Sequence, residues 1–304
     1  MSTCTLNILG CGSAKPSVRH NQSCTVLNFR EALYMIDCGE GAQQQMQRKG
    51  LKFSRLRHIF LTHLHGDHIL GLPGLLQTLS LNGHCGRVTI HTFREGIRFI
   101  DRIRAFFGYE LGYELEYDVM EPERGVVLDT DALSVEALPL NHRVDCVGYI
   151  FKEKPRMRHL IPDMLDFHKV PVAWRRRLQA GEDFVKEDGT VIPNAWLTRD
   201  PTPSVSYAHL CDTAYKPSLA PLVHGVDLML HDATYGDDRA PQAAERGHST
   251  ARQAAMLARE AGAKQLLLTH FSSAYKTEEP LLTQARELFP ASILANEGMR
   301  LRLD

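Results

Sequence analysis

The stretch LTHLHGDHILGLPGL, residues 61–75, places His63, His65, Asp67 and His68 within six positions. Imidazole nitrogens and a carboxylate at this density suit Zn²⁺ or another borderline first-row divalent ion, which would hold together groups that otherwise crowd one another. His63 and His65 can point the same way from extended backbone, where side chains alternate with a period of two. Gly66 then permits a sharp bend, so Asp67 and His68 can serve a second ion close by. One loop cannot surround two ions, and such a site therefore demands further donors downstream. His142, Asp212 and His270 are the candidates, each following an apolar run as a residue at the rim of a sheet should. Unrelated polar residues closing strands would explain any one of them alone, but poorly explain the set.

The elements that must position these groups follow from periodicity. Thr5–Leu9, Cys24–Phe29, Ala32–Asp37 and His58–Thr62 read as strands, and the histidine-rich turn begins where the last of them ends. Further strands are expected at Val88–Thr92, Glu114–Asp118, Leu133–Leu138, Ser204–Cys211, Leu228–His231 and Gln265–Thr269. Helices are expected at Glu40–Lys49, at Leu72–Leu81 with Pro73 in the first turn, around Gly96–Phe107, and at Ser249–Ala261, capped by Ser249 or Thr250 and followed by Gly262. Two strands echo each other: HIFLTH (58–63) and QLLLTH (265–270) both end in Leu-Thr-His. Two halves built alike, each delivering a histidine from a strand end, suit two facing sheets with helices outside.

At 304 residues the chain can bury a large core. No window is apolar enough to span a membrane, and the start MSTCTLNILG lacks the basic-then-apolar pattern of a secretory signal. Seven scattered cysteines without a CxxC pair fit reduced thiols in the cytoplasm. The net charge of −1 speaks against a uniformly basic nucleic-acid binder. The distribution is uneven, however: Lys152, Lys154, Arg156, Arg158, Lys169, Arg175, Arg176 and Arg177 face only Glu153, Asp163 and Asp166 over the same stretch. Residues 153–203 hold prolines, clustered charge and both tryptophans with little core-like periodicity, and read as a basic arm inserted into one domain spanning 1–304.

THLHGDH (62–68) resembles the hallmark of the metallo-β-lactamase superfamily, which implies an α/β fold: an αββα four-layer sandwich with an inserted protruding arm. Within it the chain is similar to the ribonuclease Z family of tRNA 3′-processing endonucleases. The supporting stretches are LGCGSAKP (9–16), DCGEGAQQQM (37–46), HGDHILGLPGLL (65–76), HDAT (231–234), GHSTARQAA (247–255) and LLLTHFSSAY (266–275). The resemblance implies two Zn²⁺ per subunit, other divalent ions being possible. His63, His65 and His142 would hold one and Asp67, His68 and His270 the other, with Asp212 bridging. It further implies precursor tRNA as substrate, a homodimer in the cytoplasm without membrane attachment, and the segment 153–203 as the arm that grips tRNA.

Asp67 is then expected to double as the carboxylate that orients or deprotonates the attacking water, and His248, held by Asp232, as the proton donor to the departing 3′ oxygen. Products would be a tRNA with a 3′-OH and a trailer with a 5′-phosphate. Two positions depart from the family pattern: Asp232 stands where glutamate is common, and KVPVAWRRRLQAG (169–181) lacks the usual Gly-Pro tip. A small-molecule phosphodiesterase or aryl sulfatase of the same fold is the alternative, separated from the nuclease by the basic segment and GHST. Lys15 or Arg19, in the loop with Ser13 and Asn21, is a candidate for a phosphate contact. Glu40 reads as an acid at a helix start, and Asp37 as a group that could orient a ligand.

Overall fold

A computed structural model describes residues 4–83, 86–108 and 110–303. His84 and Cys85, left without a specific role by the sequence, lie outside the described residues. The chain divides into two compact units, Met1–Lys152 with Val205–Asp304, and Glu153–Ser204.

The larger unit is built on two seven-stranded sheets. The first runs in the order Arg300–Arg302, Cys4–Gly10, Cys24–Phe29, Ala32–Ile36, Leu56–Phe60, Arg87–Thr92 and Glu114–Val119. Its last four strands are mutually parallel. The second runs Ser292–Leu294, Gln265–Thr269, Leu228–Asp232, Ser206–Leu210, Val147–Glu153, Leu133–Pro139 and Gly125–Asp129, the first four being parallel.

The period-two alternation assigns each face of the first sheet. Leu6, Ile8, Leu27, Tyr34, Ile36 and Phe60 share one buried cluster with Val135, Ala137, Tyr149, Phe151 and Tyr207 of the second sheet. Val26, Leu33, Met35, Ile59 and Ile90 point the other way, against Met46, Leu72, Leu75, Leu79 and Ile100 of the helices Ala42–Arg48, Leu72–Leu81 and Arg94–Phe107. Helices Ala251–Glu260 and Glu279–Arg286 lie on strands of the second sheet. Helix, sheet, sheet and helix layers make the αββα sandwich. Its two sheets are also joined by polar contacts just ahead of the histidine turn: Tyr149 Oη donates to Leu61 O at 2.6 Å, and Val147 N donates to Thr62 O at 2.9 Å.

Details depart from the sequence pattern. The helix expected from Glu40 begins at Ala42, so exposed Glu40 sits in the preceding turn instead of the first helical turn. Thr250 caps the helix Ala251–Glu260 through a capping box with Gln253, which decides between Ser249 and Thr250. Strands Val147–Glu153, Gly125–Asp129, Ser292–Leu294 and Arg300–Arg302 add to those expected from the sequence.

Glu153–Ser204 is more ordered than its weak periodicity suggests. Leu165, Val170, Leu178, Phe184, Ile192 and Leu197 form a small core of their own. The side chain of buried Asn194 holds the turns around it, donating to Leu178 O and Glu182 O and accepting from Thr198 Oγ1 at 2.6 Å. Much of the basic excess is neutralised within the unit: Arg156 pairs with Glu153, Arg158 with Asp200, and Arg177 with Glu182 while stacking on Trp174. Lys169, Arg175 and Arg176 remain exposed.

Candidate metal centre and active site

All seven expected donors converge at the ends of strands in the larger unit. His63 follows the strand Leu56–Phe60, and His65, Asp67 and His68 occupy the short turn of helix Gly66–Ile69. His142, Asp212 and His270 follow the strands Leu133–Pro139, Ser206–Leu210 and Gln265–Thr269. The turn is held against its neighbour by main-chain bonds, Cys38 N to His68 O at 2.7 Å and Gly71 N to Cys38 O at 2.9 Å. Gly71 passes so close that an added Cβ would lie 2.1 Å from Gly39 O. Asp37 and His270 take left-handed backbone, φ 58° and 65°. Such a conformation costs about 1–3 kcal/mol each, no more than one buried core side chain contributes.

Two donor groups result. His63 Nε2 lies 2.9 Å from His65 Nδ1, which lies 3.3 Å from His142 Nε2. His68 Nε2 lies 3.4 Å from both Asp67 Oδ2 and Asp212 Oδ2, and His270 Nε2 lies 3.3 and 3.2 Å from the same two atoms. Asp212 Oδ2 is also 3.8 Å from His63 Nε2, so this carboxylate reaches both groups.

The outer hydrogen bonds reveal what the inner atoms need. Asp37 accepts from Thr62 Oγ1 through both oxygens and from His68 Nδ1 at 2.7 Å. Having given its proton to Asp37, Thr62 Oγ1 accepts from His63 Nδ1 at 3.0 Å. Thr234 Oγ1 likewise donates to Asp232 at 2.6 Å and accepts from His270 Nδ1 at 2.9 Å, and His142 Nδ1 donates to Gly247 O at 2.8 Å. Each of these imidazoles when neutral therefore turns an Nε2 lone pair inward, and those of His68 and His270 face carboxylates. Lone pairs facing anions are stable only with positive charge between them. His68 Nε2, buried without a hydrogen-bond partner, marks the place.

Protonation follows the same logic. Burial, reinforced by neighbouring histidines, holds His63 and His65 below the usual imidazole range, and burial does the same for His142. Burial opposes charge on His68 too, but the Asp37 and Asp212 carboxylates overcome it and hold its proton tightly. Asp67 and Asp212 are driven far below the carboxylate range, since the neighbouring histidines outweigh burial. The donor set thus demands cationic charge, and its N/O chemistry, with an outer hydrogen bond behind His63, His68, His142 and His270, fits borderline divalent ions.

His248 stands beside these groups. Its Nδ1 lies 2.7 Å from Asp232 Oδ2, and its ring centroid 5.2 Å from those of both His142 and His270. Burial lowers its affinity for a proton, yet the Asp232 carboxylate raises the pKa to about 9. Despite being shorter than glutamate, Asp232 is satisfied by Thr213 N, Thr234 N and Thr234 Oγ1 as well. A cavity of about 480 Å³ opens over the site, and Lys15, Arg143, Arg239 and Arg246 line it with His248. Lys15 and Ser13 therefore face it, whereas Arg19 is held by Glu278 at 2.7 Å. The sequence did not single out Thr62, Thr234 or Gly247 O. The first two lie inside the LTH and HDAT stretches; a carbonyl leaves no sequence signal.

Two family profiles match parts of the chain: the beta-lactamase superfamily domain over residues 195–271 and the anti-Pycsar protein Apyc1 over residues 4–92. The chain is 45% identical over 302 residues to a ribonuclease Z of Parabacteroides distasonis, covering 99% of each, and 43% identical over 305 residues to one from Porphyromonas gingivalis, covering all of both. Its fold matches the crystal structure of human tRNase Z, short form, with a TM-score of 0.73 at 26% identity over 99% of both chains. It also matches the Bacillus subtilis metallo-beta-lactamase fold protein YhfI, with 0.69 at 18% identity over 99% of both chains. Similarity at this level from end to end, on a sandwich whose strand ends gather such donors, means that the chain belongs to the ribonuclease Z family of the metallo-β-lactamase superfamily.

Proposed function

We propose that the chain is a zinc-dependent endoribonuclease that removes the 3′ trailer from precursor tRNA, leaving a 3′-OH on the tRNA and a 5′-phosphate on the trailer. The observation that carries this reading is Asp212 within 4 Å of donors from both histidine groups, beside a cavity lined with cationic side chains. The names of the full-length relatives support the substrate class.

His63, His65 and His142 would hold one zinc and Asp67, His68 and His270 a second, with Asp212 shared. Such a pair, when bound, acidifies water and offsets the charge that builds on a phosphate under attack. Asp67 orients the water and takes its proton. His248 works at the other end of the scissile bond. Its Nδ1–H is occupied by Asp232, so Nε2 gives its proton to the departing 3′ oxygen, and the elevated pKa keeps that proton in place at neutral pH. The cations of Lys15, Arg143, Arg239 and Arg246 favour a polyanionic substrate.

In the same reading Glu153–Ser204 grips the tRNA away from the cut, through exposed Lys169, Arg175 and Arg176 in place of a Gly-Pro tip. The protein works as a cytoplasmic homodimer. Among the described residues no helix is long and apolar enough to cross a membrane.

The test is incubation of purified, metal-analysed protein with an end-labelled precursor tRNA and, in parallel, bis(p-nitrophenyl) phosphate. Cleavage at one site, a 3′-OH on the tRNA fragment and loss of activity on chelation are expected. Turnover of the small diester with no cleavage of tRNA would overturn the reading in favour of a small-molecule phosphodiesterase.

A further inference from the structure

A second set of potential metal donors lies where strand Cys4–Gly10 runs into its loop. Cys11 Sγ is 3.3 Å from His20 Nδ1 and 3.5 Å from Glu297 Oε1, and His20 Nδ1 is 2.9 Å from Glu297 Oε2. These spacings match those within the trio of His63, His65 and His142, 2.9 and 3.3 Å. Sulfur, nitrogen and oxygen atoms so placed can all reach one ion at the roughly 2.0–2.3 Å that zinc prefers.

The surroundings favour a built site over a chance contact. Glu297 Oε1 is fixed by Asn21 N at 2.8 Å. On the far side of the His20 ring, buried Nε2 lies 3.3 Å from Glu278 Oε1, an oxygen that Arg19 Nη1 also reaches at 2.7 Å. A carboxylate behind the second nitrogen is the usual support of a metal-bound histidine. Gly10 makes the approach possible, since an added Cβ would sit 1.8 Å from Gln22 O and push the returning strand of the loop away. The main chain of Cys11 continues the link toward the catalytic centre, its carbonyl accepting from Phe271 N at 2.9 Å, the residue after His270.

We infer that Cys11, His20 and Glu297 form an additional divalent-metal site, separate from the catalytic group, with a thiolate–imidazole–carboxylate set suited to zinc. Binding releases to solvent the thiol proton of Cys11 and the Nδ1 proton that His20 otherwise gives to Glu297. The ion fastens residues 10–23 to the end of the chain, and through them sets the position of Lys15 over the catalytic cavity. The rival account is a metal-free cluster, with a protonated His20 between two carboxylates and a neutral thiol beside it.

Cobalt titration of the full-length apoprotein separates the two, because a thiolate on Co²⁺ gives a near-ultraviolet charge-transfer band that histidine and carboxylate ligands do not. Wild-type protein is expected to take up one more cobalt than Cys11→Ser and to develop the band. The band should vanish in Cys11→Ser and persist in Cys211→Ser, whose thiol adjoins Asp212. Glu297→Gln, which keeps shape and removes charge, should weaken the extra equivalent at least tenfold with unchanged circular dichroism. Saturation of the wild type without a band, or a band indifferent to both Cys11→Ser and Glu297→Gln, would overturn the site.

Discussion

The two strand ends that finish in Leu-Thr-His deliver their histidines through the same device, used differently. On the first side Asp37 receives the hydroxyl of Thr62, which in turn receives His63, and Asp37 also receives His68. On the second side Asp232 receives the hydroxyl of Thr234, which receives His270, and Asp232 also receives His248. A carboxylate, a threonine and two histidines recur. The outcome differs in the fourth member: His68 is buried among the metal-donor groups, whereas His248 faces the cavity. One half turns both imidazoles toward the buried donor groups, and the other turns one of its two toward the cavity. The threonine also differs in origin. Thr62 precedes its histidine, while His270 is served by Thr234 from the neighbouring strand, in keeping with the left-handed backbone at His270.

This contrast predicts that equivalent substitutions will have unequal consequences. The largest effect is expected for His68→Ala, which should remove a metal equivalent and reduce cleavage of precursor tRNA to background; a variant retaining full metal by elemental analysis and full rate would break the assignment of the first half. Next, His248→Ala should slow tRNA cleavage by about 10²–10⁴ with metal content unchanged. Metal loss in that variant would mean that the two halves do the same job.

The carboxylates should then separate by phenotype. Asp37→Asn is expected to weaken metal binding by about 10–100-fold, read by competition with a chromophoric chelator. Asp232→Asn should leave metal in place but alter the pH profile. Asp232 is what raises His248 to about 9 against burial, and a general acid works only while protonated. Without the anion the proton leaves at lower pH, so activity on the alkaline side should fall away earlier than in the wild type. An unshifted alkaline limb would remove Asp232 from the proton-transfer half. The smallest change belongs to the other unit: Arg175→Ala and Arg176→Ala should each lower the salt-dependence slope of tRNA binding by about 1, leaving hydrolysis of a small phosphodiester untouched.

What the sequence revealed and what it hid follow from the range of each interaction. Strands such as Cys24–Phe29 and helices such as Leu72–Leu81 carry their own period and were legible. Each donor atom likewise belongs to a residue type that advertises itself, so His63 through His270 could be nominated from types and strand ends. Ser292–Leu294 and Arg300–Arg302 are three residues long, too short for any period, and exist because they pair with established strands. The small core of Glu153–Ser204 was hidden for a related reason. Its six apolar residues come from short elements scattered between charges, and only folding gathers them. Gly247 O and the crossing from Thr234 to His270 are products of tertiary structure alone.

The narrow passage at Gly71 has a practical corollary. Because the main chain there touches that of Gly39, alanine at position 71 would lever apart the turns bearing Asp37 and His68 without altering any donor. A saturation screen scored by cleavage of precursor tRNA would therefore rank this chemically inert position beside the histidines. Anyone redesigning the catalytic pocket should treat it as fixed.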